Sequence, residues 1–379
     1  MFRRKVIFIS EQPLDLNSRY LKCKSELEKS GLIVHTLIIN FNGDERNSDY
    51  IYISRPNWTK NKLGSTISYR FLKYKVKKFF RQNKYDVYHA MDYISLDIAS
   101  LMKKYNGGKI LFDACEIFTD TSFTSDNLKK YVEKVFNRSS SFIDEIITPS
   151  QHLKSHYAKK FPSWPIAEII TNAPMHENKK DYDGRLHKAL GLKLNNKILL
   201  FHGAFSKLRG LEVLIDTAHT LQKGYTICFM GYGVLEKQLK LKAERINWLH
   251  GRKAIQFLKP VPHRELLKWV SGAYYGIIPY EPGPLNHQYC TPNKLYEYPA
   301  SKVPVIATNM PGMAKIINEF RIGCVIDAPI NIEKINKWLQ ANGKENHRKY
   351  VEGCINMSIS KIWKKDAHQL IKTYKKMLK

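Results

Sequence analysis

One unit recurs along this chain and restricts its fold more than any other feature. A short apolar run rich in β-branched residues is followed by a loop and then a helical pattern. KVIFIS (5–10) leads through a Pro-containing loop into a helical pattern at Tyr20, Leu21, Leu27 and Leu32, and VHTLIIN (34–40) follows. The same logic reappears in YDVYHAMD…KILFDACEIF (85–118), IDEIITP (143–149) and IAEIITNAP (166–174). It restarts in ILLFHG (198–203), YTICFMGYG (225–233), AIQFLKP (254–260), AYYGIIPY (273–280) and IGCVIDAP (322–329). Strands separated by helices imply parallel sheets covered on both faces, hence an α/β chain with doubly wound sheets. With 379 residues the chain suits two such domains. The polar segment 176–197 lacks a sustained apolar strand and reads as their linker. The expected organisation is a Rossmann-like domain over 1–175 and a second over 198–356, with a basic helix over about 357–379.

Net charge is +28, from 62 Lys+Arg against 34 Asp+Glu. Such a surplus is silent on fold but favours an anionic partner: nucleic acid, acidic lipid or a phosphorylated substrate. No zinc-finger, RRM-type or KH-type signature is present, so nucleic acid is not the expected partner. Helix 68–84 carries Phe71, Leu72, Val76, Phe79 and Phe80 on a shared side, with Arg70, Lys73, Lys77, Lys78 and Arg81 on the others. It fits either a core-packing helix or one that lies on an anionic membrane. The tail helix has Ile362, Trp363, Leu370, Ile371 and Tyr374 apolar. Six scattered cysteines without a CxxC point to reduced thiols rather than a disulfide framework or a zinc site. No apolar run reaches 18 residues, and the VIFI run near the start is too short for a signal segment. A cytoplasmic protein, peripheral on the inner face of the cell membrane, is therefore expected.

Ligands of doubly wound sheets bind beyond the carboxyl ends of the strands. In TPNKLYEYPASKVPVIATNMPG (291–312), Thr291 reads as an N-cap with Pro292 at the first helical position, and Val303–Ala307 as a buried strand. A Pro/Gly-rich loop, 280–290, precedes it. A nucleotide diphosphate is expected against this helix start, with Glu297 accepting from the ribose hydroxyls. In SKLRG, after ILLFHG, Lys207 and Arg209 flank a loop mouth, and an Arg fork suits diphosphate oxygens. Asp113 and Glu116 stand where a strand meets the crevice. Arg19 lies at a loop-to-helix junction, where a solvated side chain is expected unless it meets an acidic acceptor. GYG (231–233) is a weak phosphate signal, since a turn alone requires glycine.

PNKLYEYPASKVPVIAT resembles the "PNK-hydrophobic-x-EY…PVIAT" signature of family 4 (group 1) glycosyltransferases, which have the GT-B fold. YDVYHAMD, LFDACEIF, the SKLRG loop and GYG match further elements of that family, so the resemblance spans roughly 5–375. It implies two Rossmann-like domains facing a cleft. It assigns the nucleotide-sugar donor to Gly203, Lys207, Arg209, Gly210, Gly231, Tyr289, Asn293, Lys294, Leu295 and Glu297. Arg19, His89 and Glu116 are assigned to the acceptor, and Glu116, Asp113, Arg209 and Lys294 to catalysis. Three positions depart from the pattern. Cys115 replaces a histidine, Ala204 an arginine, and Tyr289 the first glutamate of an E-x7-E pair. Lys207 or Lys294 can replace the missing charge, and Asn286, His287 and Gln288 are local substitutes for that glutamate.

The expected activity is transfer of a sugar from a nucleotide-diphosphate donor, UDP-sugar favoured, to a glycan or lipid-linked glycan in surface polysaccharide biosynthesis. Retention of configuration is expected, with neither cofactor nor metal. The alternatives are a GT-B nucleotide-sugar epimerase, a non-catalytic scaffold and a basic nucleic-acid-binding protein.

Overall fold

The structure, a computed structural model, describes residues 4–15, 17–39, 47–54, 62–122, 124–175, 181–342, 344–361 and 363–379. The chain forms two compact units, Met1–Thr171 with Lys364–Lys379, and Asn172–Trp363.

The first unit contains strands β1 (Lys5–Ser10), β2 (Ile33–Ile39), β3 (Ile51–Ile53), β4 (Val87–Ala90), β5 (Lys109–Asp113), β6 (Glu145–Thr148) and β7 (Glu168–Ile169). Their order is β3-β2-β1-β4-β5-β6-β7, all parallel. The order reverses between β1 and β4, which makes that edge the topological switch point. Val6 to Ile9 are fully buried because helices cover both faces, so the strand reads as an unbroken apolar run rather than an alternation. β3 carries only three half-buried residues, too few for a periodic signal, and sequence reasoning did not foresee it.

Helix Lys62–Gln82 buries Leu72, Val76 and Phe80 against the sheet. Phe71, expected on that side, instead faces outward, 37% exposed, beside Tyr74 and Ile67. The helix is apolar on two faces, one for the core and one for solvent. Helix Trp363–Met377 buries Trp363, Leu370, Tyr374 and Met377. From Lys364 onward it belongs to the first unit, although the chain has by then passed through the second. Ile362 lies outside the described residues.

The second unit holds β8 (Lys197–Ala204), β9 (Tyr225–Tyr232), β10 (Ile255–Leu258), β11 (Tyr275–Ile278), β12 (Val305–Thr308) and β13 (Gly323–Ile326). Their order is β10-β9-β8-β11-β12-β13, again all parallel, with the switch point between β8 and β11. Of the expected linker, 176–180 lie outside the described residues. The remainder is not an extended connection. Arg185–Leu190 is a short helix between two left-handed glycines, and it buries Leu186 and Leu190 in the core of the second unit. A six-residue helix is too short to show periodicity, so its mixed charge reads as loop. Residues 344–360 form another helix of this unit.

None of the six cysteines forms a disulfide, and Cys23, Cys228, Cys324 and Cys354 are buried, as the apolar patterning implies. Among the described residues, no helix is long and apolar enough to cross a membrane.

Candidate nucleotide site

The helix bearing Glu297, Lys294–Ala300, is set by a close approach to the sheet. Tyr298 lies flat over Gly276 of β11 and donates its hydroxyl to the Leu200 carbonyl at 2.7 Å. A Cβ at Gly276 would stand 2.3 Å from a carbon of that ring. Gly276→Ala is therefore expected to lower stability by about 1–3 kcal/mol and to move the helix off its seat. Thermal unfolding in the absence of ligand checks this, and an unchanged midpoint would show that the helix is not so constrained. The helix starts two residues later than expected. Asn293, exposed and helical in φ and ψ, is the N-cap and offers no side-chain cap, while Thr291 is buried in the preceding turn. The amide N–H of Leu295 donates instead to the Pro292 carbonyl.

Lys294 is buried at the start of this helix. Its Nζ occupies the space a side chain at position 203 would fill, 2.9 Å from an ideal Cβ on Gly203. That ammonium donates to the Tyr280 hydroxyl at 3.1 Å and stands 5.0 Å from the centre of the Phe201 ring. The Arg209 guanidinium lies 4.1 Å above the Tyr280 ring centre. Two cations thus converge on one tyrosine at the carboxyl end of β11, beside the end of β8. The electron-rich ring and hydroxyl partly offset their mutual repulsion. Sequence reasoning did not single out Tyr280. The available signal was its place directly after Pro279 at a strand end.

Gly210 closes this arrangement. It has φ +68°, and a Cβ there would lie 2.0 Å from the Pro279 carbonyl oxygen, so only glycine brings the Arg209 loop against β11. Gly231 has a different role from the one its motif implies. It faces Gly203 across the β8–β9 pair, where a Cβ would stand 2.0 Å from the Gly203 carbonyl oxygen. The left-handed turn glycine is Gly233, φ +155°.

Glu297 is 6% exposed. His202, equally buried at the end of β8, places Nε2 3.6 Å from Glu297 Oε2. Burial, reinforced by Lys294 and His263, holds His202 well below the ordinary histidine range, so the ring is neutral. His202 Nε2 and His287 Nδ1 are buried polar atoms without a hydrogen-bond partner, as are His89 Nε2 and Trp164 Nε1 in the first unit.

The remaining donor assignments are more scattered. Lys207 is exposed. Leu295 is fully buried in the hydrophobic core, so its side chain cannot meet a ligand. Tyr289 is half-buried at the end of the short helix Leu285–Tyr289. Gln288 donates to the Gly283 carbonyl at 2.9 Å and so closes its own loop. His287 stacks against Tyr280, ring centres 6.1 Å apart.

In the first unit, the residues assigned to the acceptor and to catalysis assemble into something else. Arg19 is neither solvated nor open to a ligand. It is 5% exposed and grips Asp113 with two hydrogen bonds, Nε to Oδ2 at 2.7 Å and Nη2 to Oδ1 at 2.9 Å. A third donor reaches the Ile170 carbonyl. His89 is fully buried, stacked 4.1 Å from Phe8, with Nδ1 2.7 Å from the Tyr374 hydroxyl. Cys115 donates its thiol to Asp113 Oδ1 at 3.0 Å, and burial raises it well above the ordinary thiol range. Burial alone would raise Asp113, but Arg19 and His89 outweigh it and hold the carboxyl well below its usual range. Asp113, Arg19 and His89 thus anchor strand ends and the C-terminal helix, and Asp113 is no proton donor. Glu116 is exposed, the one member of this set whose side chain reaches solvent. Its backbone carbonyl accepts from the Tyr157 hydroxyl at 2.6 Å. A buried ion pair and an acceptor-binding pair have the same appearance in sequence, because both need opposite charges at strand ends.

Residues 183–352 match the family described as glycosyl transferases group 1. This segment is similar to a group 1 glycosyl transferase domain. It contains every residue around Lys294, Tyr280 and Glu297 described above. Over 250 residues the chain is 24% identical to D-inositol 3-phosphate glycosyltransferase of Corynebacterium urealyticum, covering 62% of this chain and 55% of that relative. The match thus spans little more than half of that protein's length. Across 99% of both chains the fold resembles sucrose-phosphate synthase from Thermosynechococcus elongatus, TM-score 0.78 and 13% identity. It also resembles Anabaena HepE solved with UDP-glucose, TM-score 0.71 and 14% identity, over 98% of this chain and 99% of that one. Two doubly wound α/β units and these neighbours make the fold GT-B.

Proposed function

We propose that the protein transfers a sugar from a UDP-sugar to a glycan or lipid-linked glycan acceptor, with retention of configuration and without a metal or other cofactor. The observation that carries this reading is the meeting of Lys294 and Arg209 on Tyr280, with Lys294 above Gly203 and on the same helix as Glu297. A diphosphate seated over Gly203 meets both cations. The ribose hydroxyls then donate to the Glu297 carboxylate, as charge-assisted bonds worth about 1.5–3 kcal/mol each. As the glycosidic bond to the diphosphate breaks, negative charge grows on the leaving oxygens, and cations held in place beforehand stabilise it more than they stabilise the ground state. HepE, whose fold is similar, has been solved with UDP-glucose, which favours uridine as the base.

The acceptor reading rests on charge and on the outward face of helix Lys62–Gln82. Ile67, Phe71 and Tyr74, at helical spacing i, i+4 and i+7, are exposed, with Arg70, Lys75 and Lys78 exposed around them. An apolar stripe bordered by cations suits the interface of an anionic bilayer, where each cation adds about 1 kcal/mol. We propose that this face docks the enzyme on the inner leaflet during surface-polysaccharide assembly. Flotation with phosphatidylglycerol vesicles at low salt is expected to carry the protein upward. Protein left at the bottom of the gradient would sink the membrane part of the reading.

The nucleotide part is tested by thermal stabilisation with UDP, GDP, ADP and CMP, on wild type and on Glu297→Ala. A ligand at 100 times its dissociation constant adds about 2.7 kcal/mol to the folded state. UDP is expected to stabilise wild type, and the variant is expected to lose most of the shift. Indifference of wild type to all four nucleotides would remove the donor site. The anomer produced from a UDP-sugar decides the stereochemical part.

A further inference from the structure

We propose that His202 is a positioning residue of the nucleotide site: with ribose bound, its Nε2–H donates to Glu297 Oε2 and so turns the rest of that carboxylate toward the ribose hydroxyls. This deepens, and rests on, the reading of Glu297 as the ribose acceptor.

The geometry leaves His202 few other roles. It lies two residues before the end of β8, ahead of Gly203 with φ +116°, and its backbone stays in register with Met230 of β9, so the sheet holds its side chain in place. Its ring is held edge-on by Tyr298, with centres 4.9 Å apart and planes at 73°. Tyr298 is itself fixed to the Leu200 carbonyl and wedged over Gly276. The imidazole is therefore placed by strand and helix together, a rigid seat of the kind positioning groups require. Nε2 is fully buried and has no hydrogen-bond partner, and the nearest carboxylate oxygen is Glu297 Oε2, 3.6 Å away. That gap is slightly too long for a hydrogen bond. Site hydrogen bonds are often loose before ligand binds and tighten on closure.

The ring's neutrality fits the role. A charged imidazolium would cancel the carboxylate and compete with ribose for it. A neutral ring spends one N–H on one oxygen lone pair and leaves the negative charge available. The neighbouring Lys294 ammonium contributes to that neutrality, so the residue on the diphosphate side helps to keep the ribose side correctly protonated.

The test compares binding of UDP and 2′,3′-dideoxy-UDP to wild type, His202→Phe, His202→Gln and Glu297→Ala by calorimetry. Phenylalanine keeps the ring and removes the donor, whereas glutamine restores an N–H. His202→Phe is expected to weaken UDP about 5–20-fold, to leave dideoxy-UDP within 2-fold of wild type, and so to shrink the preference for UDP. His202→Gln is expected to recover most of that preference. Equal weakening of both ligands, or no change in either, overturns the proposal. The Glu297→Ala arm separates the two claims. If it abolishes the preference while His202→Phe does not, only the His202 role falls; if it too leaves the preference intact, the ribose reading of Glu297 falls first. Should the phenylalanine variant fail to fold, nitrogen-15 NMR of wild-type histidine decides. The proton is expected on Nε2 in the UDP complex, and a proton on Nδ1 alone overturns the proposal.

Discussion

Lys294→Ala is expected to lower kcat by about 10²–10³-fold, or ~2.7–4 kcal/mol, the loss typical when one preorganised charge-stabilising donor is removed from an active site. The residue has the attributes such a donor needs. It is 9% exposed, so its charge acts in a medium of low dielectric. Its ammonium is held by the Tyr280 hydroxyl and fills the space over Gly203 that a Cβ would take. Its position at the carboxyl end of β8, beside the switch point, is where a doubly wound sheet receives its ligand. KM for the proposed UDP-sugar donor is expected to change much less than kcat, because on this reading the ammonium meets more charge in the transition state than in the ground state. Arg209→Ala is expected to act in the same direction but less strongly, since that guanidinium is half-exposed and shares its charge with water. Release of UDP from the donor, followed continuously over a range of donor concentrations, separates kcat from KM. A kcat within 3-fold of wild type would show that Lys294 does not meet the leaving group.

Asp113→Ala carries the largest expected loss of stability, about 3–5 kcal/mol, because it leaves the Arg19 guanidinium buried without its carboxylate. The penalty is that of an uncompensated charge rather than of a lost attraction. Replacing both residues with leucine is therefore expected to recover much of the loss. The pH dependence follows from the same pair. Arg19 and His89 hold the folded-state carboxyl well below its unfolded value despite burial, so its contribution is complete above the ordinary aspartate range near pH 4. It is lost as the pH falls below that range. The difference between wild type and Asp113→Ala in urea unfolding should thus be widest at neutral pH and close in acid. A difference that stays constant down to pH 2 would mean that folding leaves the aspartate pKa unchanged, and one that widens in acid would mean that the carboxyl is protonated in the folded protein.

Much of this was legible in the chain itself, for a physical reason. Parallel strands buried on both faces must be apolar throughout, so KVIFIS, VYHA and ILLFHG announce themselves, and the alternation with helices leaves few topologies. The helix and strand of segment 291–312 were equally legible, since Lys294–Ala300 and Val305–Thr308 lie within one short segment whose geometry is mostly local. Local reasoning failed where distant segments decide the outcome. Arg19 and Asp113 are 94 residues apart, and nothing in either neighbourhood tells a buried anchor from a ligand contact. Phe71 and Leu72 are adjacent, yet only one faces the core. Gly231 and Gly276 are needed not for a turn but because the Gly203 carbonyl and the Tyr298 ring occupy the space of a Cβ.

The sequence by itself determined two doubly wound α/β units and the helix–strand segment at 291–312, because periodicity is a short-range property. Only the tertiary structure decided which charges are buried against partners and which meet at a strand end. Arg19 and Asp113 bond one another in the interior and His89 bonds the Tyr374 hydroxyl, whereas Lys294 and Arg209 meet on Tyr280 at a strand end. That division depends on burial and on partners from remote parts of the chain, and no window of sequence contains both.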